Sequence, residues 1–273
     1  MNTYIFILCP PYSGSTLLLR LVSTSNAVSS LPWEGQFLPE VKKVMRQDPW
    51  NSDLKLPWQN IKEIWDRYWD QDKPLLVEKS PPHIIRTNEI VEHFNPVYFL
   101  LMVRNPYAHC EGLIRRNNWS AKEAAEFTLR CLKQQAENAE KLKNTLCFTY
   151  EELVENPELI SEKIQSFLPQ IGFLKYDQSF KVHSIDGALE RGFVNLNQKK
   201  IDNLSINDLI LINKVLKKNP DVMNYWGYQY YEPSLNHALA FFKTKRSSLL
   251  PMTLSKGKQV ITKAIKTLKR YSN

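Results

Sequence analysis

A short loop near the N-terminus has the composition of an anion-binding site. Residues 12–16 read Tyr-Ser-Gly-Ser-Thr and lie between two apolar segments, 4–9 and 16–23. A strand, a small-residue loop and a helix N-terminus together offer backbone N–H groups and a positive dipole end to a phosphate. The loop has no lysine and no GxxxxGK[ST] pattern, which argues against an ordinary ATP kinase or GTPase. A plain turn with a Ser/Thr helix cap explains the loop alone equally well.

A second basic motif follows the most apolar segment of the chain. Residues 97–103 read VYFLLMV and precede Arg104, and Arg116 comes twelve residues later. A basic residue that ends a buried parallel strand stands where ligands bind in such sheets. The arginine fork suits a phosphate, and a plain salt bridge is the alternative reading.

Together these motifs resemble those of the sulfotransferases that use 3′-phosphoadenosine 5′-phosphosulfate (PAPS). The resemblance extends over residues 4–231 and is closest to the tyrosylprotein and carbohydrate-type branch. The chain also resembles small bacterial sulfotransferases, including cyanobacterial ones of saxitoxin-type alkaloid pathways. The motifs that carry it are PPYSGSTLLLR, EKSP at 78–81, FLLMVRNPYAHCEGLIRR, YEELVENP at 150–157 and the segment 194–200.

The resemblance implies PAPS as the sulfuryl donor, PAP as the product and no metal. The first loop would hold the 5′-phosphosulfate, and Lys79 would neutralise the leaving phosphate. Arg104, Arg116 and Lys199 or Lys200 would bind the 3′-phosphate. The residues assigned to nucleotide binding are Tyr12, Ser13, Gly14, Ser15, Thr16, Arg104, Gly112, Arg116, Tyr150, Asn195, Lys199 and Lys200.

Two positions depart from the family pattern. Tyr12 stands where the family usually has Lys or Arg, and a phenol brings no charge to the bridging oxygen, so Lys79 or Arg20 would have to compensate. Gly112 stands where the family has the serine that contacts the 3′-phosphate. That contact is lost here or is supplied by a neighbour such as Arg115 or by the backbone.

The acceptor must lose a proton to a positioned base. Glu34 in LPWEGQF matches the catalytic glutamate of the tyrosylprotein branch, and Trp33 and Phe37 beside it could shield the carboxylate from water. His83, four residues after Lys79, is the second candidate. A surface carboxylate and a structural histidine are the alternative interpretations.

The pattern of secondary structure along the chain predicts an α/β fold with a P-loop-like central parallel sheet flanked by helices. These elements must position the residues named above. Apolar runs that alternate with helical patterns are typical of a parallel sheet covered on both faces. The predicted strands are 4–9, 74–78, 97–103 and 145–149. The predicted helices are 16–23, 120–142 with a Ser120–Glu123 capping box, and 158–168.

We expect a sulfotransferase domain over 1–242 and a basic amphipathic tail over 243–273. The domain would contain a helical insertion at about 40–72, where Trp50, Trp58, Trp65 and Trp69 form either core packing or an acceptor pocket. The tail would pack on its own body, form a homodimer contact or lie on an anionic membrane surface.

Charge distribution, cysteine usage and the length of the apolar runs narrow the possible classes of function. The net charge of +8 comes from basic residues after Glu232, beyond which no acidic residue occurs, so the body is no nucleic-acid-binding globule. Four scattered cysteines favour a reducing compartment and no metal site, and no apolar run could span a bilayer. These features favour a cytoplasmic enzyme that sulfates a hydroxyl or an amine/carbamoyl nitrogen of a small molecule, such as a guanidinium alkaloid. The alternatives are a PAP-binding protein without transferase activity and a divergent P-loop kinase.

Overall fold

Five parallel strands form the central sheet, in the order β2-β3-β1-β4-β5. The computed structural model describes residues 2–184 and 187–246, so the predicted basic tail at 243–273 lies outside it except for 243–246. The strands are β1 (Thr3–Leu8), β2 (Val28–Ser30), β3 (Leu75–Glu78), β4 (Val97–Val103) and β5 (Thr145–Thr149). The predicted α/β class and the predicted strands are therefore confirmed, and β2 is an edge strand that sequence reasoning missed.

The chain divides into two compact units. The first comprises Met1–Arg104 and Cys131–Asn195, and it contains the whole central sheet. The second comprises Asn105–Arg130 and the chain from Leu196 onward.

The first unit contains most of the helices that connect the strands. They are α1 (Ser15–Val22), α2 (Pro39–Met45), α3 (Trp58–Tyr68), α4 (Thr87–His93), α7 (Tyr150–Glu155), α8 (Pro157–Phe167) and the second half of α6 (Ala121–Lys141). The predicted capping box of α6 is present, because Glu123 N–H donates to Ser120 Oγ and the Glu123 carboxylate accepts the Ser120 N–H. An antiparallel pair, β6 (Phe180–Ser184) and β7 (Gly187–Arg191), also belongs to this unit.

Buried aromatic rings fill one side of the sheet in the first unit. Trp58, Trp65 and Trp69 are buried, and Trp65 packs at 5.7–6.3 Å, centroid to centroid, from Phe6 and Phe94. These three tryptophans therefore form core packing, and the pocket interpretation was wrong for them. Trp50 is half-buried.

The second unit is helical. It contains α5 (Pro106–Asn117), α9 (Asn197–Ile201), α10 (Ile206–Leu216), α11 (Pro220–Tyr225), α12 (Leu235–Arg246) and the first half of α6. Asn105 starts α5 by accepting the N–H groups of Tyr107 and Ala108 at 3.0 and 3.3 Å. Among the helices of residues 2–184 and 187–246, none has both the length and the apolar composition needed to cross a bilayer.

Candidate active site

The first loop turns sharply from β1 into α1. Gly14 has a φ of +98°, and a Cβ added there would lie 2.6 Å from Cδ2 of Tyr150. This position therefore requires glycine, for its backbone angle and for the close approach of the ring. N–H groups of the first turn of a helix have no acceptor within the helix, so Thr16 is placed to present its N–H to an anion. The Ser15 N–H is directed at the Cys9 sulfur. Ser13 is buried, and its N–H donates to the Pro10 carbonyl at 3.3 Å.

Arg104 lies beside this loop at the end of β4. Its guanidinium carbon is 3.8 Å from the centroid of the Tyr150 ring, and its Nη1 donates to the Tyr12 carbonyl at 3.2 Å. The side chain is buried, with 5% of the residue exposed. The Tyr150 hydroxyl donates to the Val194 carbonyl at 3.0 Å, and Asn195 donates to Glu155 at 2.6 Å. The structure thus brings Tyr12, Gly14, Arg104 and Tyr150 together.

Lys79 joins the loop to the candidate base. Its Nζ donates to Thr16 Oγ1 at 3.1 Å and to Glu34 Oε1 at 2.8 Å. An ammonium group has three N–H donors, so one remains for a further acceptor. The three residues come from the N-terminal turn of α1, the segment after β2 and the end of β3, so three segments of the first unit meet here.

The second oxygen of Glu34 is also hydrogen-bonded. Gln36 Nε2 donates to Oε2 at 2.6 Å, and Arg46 donates to Gln36 Oε1 at 3.3 Å. The expected shielding by aromatic rings is not what the structure has, because Trp33 is 62% exposed and Phe37 is 39% exposed. Lys79 and Gln36 surround the carboxylate instead, and the two rings face solvent beside it.

His83 occupies a different environment. It is 1% exposed, its Nε2 is 2.5 Å from Glu78 Oε2, and its ring packs against Phe6, Trp58 and Trp65. Such surroundings are typical of a structural histidine. Glu78 was not assigned a role from the sequence, although a carboxylate at the end of the apolar strand LLVE is a signal of a buried polar contact.

The remaining predicted nucleotide-binding residues lie in the second unit. Gly112 and Arg116 are on α5, and Lys199 and Lys200 are on α9, which packs on α5. Arg116 and Lys199 are exposed. Lys200 is buried, donates to the Ala108 carbonyl at 3.3 Å and pairs with Glu111 at 3.9 Å. Of the two lysines, Lys199 is therefore the one that faces solvent.

A buried thiol, that of Cys9, lies close to the first loop. Burial raises the pKa of Cys9, just after β1, to about 12, although Lys79 and Arg104 lower it. In the part of the chain that the structure describes, no three His, Cys, Asp or Glu side chains are grouped as metal ligands would be.

Several solved structures of sulfotransferases are similar to this chain. The sulfotransferase domain of the curacin biosynthetic pathway is 18% identical, with 85% of this chain and 99% of that chain covered at a TM-score of 0.49. A mouse sulfotransferase complexed with PAP is 12% identical, with 84% and 90% covered at 0.49. The sulfotransferase domain of a Synechococcus olefin synthase is 17% identical, with 92% and 96% covered at 0.42. No curated protein sequence matches the chain.

The family assignment depends on the sequence itself. A family model described as the Sulfotransferase family matches residues 4–170, which is more than half of the chain. The match contains the first loop, Glu34, Lys79, Arg104 and Tyr150. It favours a sulfotransferase over the divergent P-loop kinase. The chain therefore belongs to the sulfotransferase family, and it is a PAPS-dependent transferase.

Proposed function

We propose that this enzyme transfers the sulfuryl group of PAPS to a hydroxyl or an amine/carbamoyl nitrogen of a small-molecule acceptor. Glu34 is the general base, and Lys79 stabilises the charge that develops on the leaving phosphate. The observation that carries the proposal is the position of Lys79 Nζ, within 3.1 Å of Thr16 and 2.8 Å of Glu34. One ammonium group thus connects the phosphate-binding loop to the base.

The first loop fits the 5′-phosphosulfate of PAPS. Gly14 lies against the Tyr150 ring with no room for a Cβ. It is also the N-cap of α1, so the helix N-terminus, which favours anions, begins at this turn. Arg104 packs against the same ring and is held by the Tyr12 carbonyl. The resemblance assigns Arg104, Arg116 and Lys199 or Lys200 to the 3′-phosphate.

The proposed reaction forms a bond between sulfur and the acceptor oxygen or nitrogen and breaks the bond between sulfur and the bridging phosphate oxygen. PAPS supplies the sulfuryl group, and the electron pair of the broken bond stays on the phosphate of PAP. Glu34 takes the proton of the acceptor. Lys79 offers a fixed positive charge close to the base and the loop, so little reorganisation is needed as charge develops.

Exposed aromatic rings beside the base support a small acceptor with a planar or cationic group. Trp33 and Phe37 flank Glu34 in the sequence, and both present large apolar surfaces to solvent. Tryptophan faces attract cations, and a guanidinium alkaloid is one acceptor of this class. A cytoplasmic location, and a dimer or membrane contact through residues 243–273, remain part of the proposal.

Replacement of Glu34 tests the proposal. We expect Glu34→Gln to lower kcat by about 10²- to 10⁴-fold, because general-base catalysis contributes that much, and to leave PAP affinity within about threefold. Turnover is measured as PAP released from PAPS with a panel of phenols, alcohols, amines and guanidinium compounds. Exposed Glu126→Gln on α6 is the control. A Glu34→Gln enzyme with full turnover would show that another group takes the proton.

A further inference from the structure

Gly35, the residue after Glu34, is held through both its backbone N–H and its backbone carbonyl. The Gly35 N–H donates to Glu78 Oε1 at 2.6 Å, and the Gly35 carbonyl accepts from Trp65 Nε1 at 3.3 Å. A Cβ at Gly35 would lie 2.6 Å from the Trp65 ring. The backbone next to Glu34 is therefore fixed by side chains that come from β3 and α3.

Glu78 is suited to hold this backbone rigidly. Its carboxylate also accepts the Ser80 N–H at 2.8 Å and the Ser80 hydroxyl at 2.6 Å, and it lies 2.5 Å from His83. Burial by itself raises the pKa of Glu78, but His83, Ser80 and the Gly35 N–H together hold the pKa below its usual value. Glu78 is 1% exposed and its carboxylate accepts three hydrogen bonds, so it is out of reach of an acceptor.

Ser80 extends the same network by one residue. Its hydroxyl donates to Glu78 and accepts the Gln36 N–H at 3.3 Å. Gln36 in turn donates to Glu34 Oε2 at 2.6 Å. The two consecutive N–H groups after Glu34, those of Gly35 and Gln36, are thus bound by side chains at the end of β3.

We propose that Glu78 is a positioning residue for Glu34. By accepting the Gly35 N–H, its buried carboxylate fixes the backbone from which Glu34 reaches Lys79 and the acceptor. The inference rests on the proposed function of Glu34 as the base. It adds that the orientation of the Glu34 carboxylate is set by Glu78, the last residue of β3. Lys79 directly follows Glu78, so the same strand end positions the base and the lysine.

The test combines variants of Glu78 and Glu34 in the full chain. We expect Glu78→Gln to lower kcat by about 10- to 100-fold, because a displacement of about 1 Å can have an effect of that size, with PAP affinity unchanged within about twofold. If Glu78 acts only by positioning the Glu34 carboxylate, its replacement has no further effect once that carboxylate is absent. The double variant should therefore turn over as fast as Glu34→Gln alone.

The outcomes separate the two claims. If Glu78→Gln lowers turnover by the same factor with and without Glu34, or if it keeps full kcat, Glu78 is not a positioning residue and the proposed function stands. A fully active Glu34→Gln overturns both claims.

A milder variant tests the same inference if Glu78→Gln does not fold. Ser80→Ala removes the Gln36 N–H contact and one hydrogen bond to Glu78, and we expect it to lower kcat by about three- to tenfold at unchanged PAP affinity. Ser25→Ala is the matched control, because this buried hydroxyl of the same unit bonds to Ile171 and to the Ala27 N–H. Equal turnover in Ser80→Ala and Ser25→Ala would overturn the inference.

Discussion

Lys79 places a positive charge where only 8% of the residue is exposed to solvent. Removal of an ammonium group from water is unfavourable unless the charge is paired and hydrogen-bonded. Glu34 and Thr16 supply both interactions, and the pair in turn holds the Glu34 carboxylate in place. The residues that sequence reasoning assigned to the base and to the leaving group therefore support each other.

Replacement of Lys79 should separate its catalytic role from its structural one. We expect Lys79→Met to lower kcat by about 10²- to 10³-fold, the usual effect of removing one preorganised donor. The melting temperature should also fall, because the Glu34 carboxylate loses its ion-pair partner. Lys62→Met, which removes the ion pair of Lys62 with Asp66 at 2.7 Å, is the control. Lys79→Met with wild-type turnover would contradict the assignment.

The sequence was sufficient to propose some residues of the site and insufficient for others. Lys79, Glu34 and Arg104 could be proposed because each stands in a motif of a few neighbouring residues. Glu78, Gln36 and Trp65 were missed as partners of the Glu34 segment, because their contacts depend on the packing of distant segments. The Trp65 indole, for example, reaches Gly35 across 30 positions of the chain.

At the scale of elements, the carboxyl ends of β1, β3 and β4 carry the site. Their long apolar runs made these strands predictable, and each is buried along most of its length. Strand β2 has only three residues and a polar sequence, VSS, so its periodicity gave no signal. Gln135 of α6 donates to the carbonyls of Leu8 and Met102 and ties two of these strand ends together.

The turn from β1 into α1 gives a prediction at this scale. We expect Gly14→Ala to reduce stability by more than the 1–2 kcal/mol of a left-handed backbone angle, because the Cβ meets Tyr150 at 2.6 Å. PAP affinity should fall by at least tenfold. Gly172→Ala is the control, since Gly172 has a φ of +66° with no atom within 4 Å of an added Cβ. Urea unfolding and calorimetric titration measure both quantities. Equal effects of the two variants would contradict the close packing of the loop on Tyr150.

At the scale of the whole molecule, buried acids affect stability at alkaline pH. Burial raises the pKa of Cys9 and of Cys110 to about 12, whereas free thiols titrate near 8.5. Between about pH 8.5 and the raised pKa, the thiols of the unfolded chain release their protons and those of the folded chain keep them. The unfolded state then binds fewer protons, so the free energy of unfolding falls as pH rises.

Unfolding in urea at several pH values tests this prediction. We expect the free energy of unfolding to decrease between pH 8.5 and 11, and the Cys9→Ala/Cys110→Ala variant to lose less of it over the same range. An identical pH dependence in the variant would show that these thiols are not responsible. Native protein at pH 7.5 should also resist alkylation at both cysteines.

The central claim is that the chain binds a nucleotide with a 3′-phosphate and uses it as a sulfuryl carrier. The most direct measurement is the melting temperature with PAP, compared with AMP, which lacks only that phosphate, and with ATP. A ligand at about 100 times its Kd stabilises by about 2.7 kcal/mol, which corresponds to a shift of about 2–4 °C for a chain of this size. We predict that shift with PAP and a much smaller one with AMP or ATP. An equal shift with AMP, or a larger one with ATP, would contradict the claim.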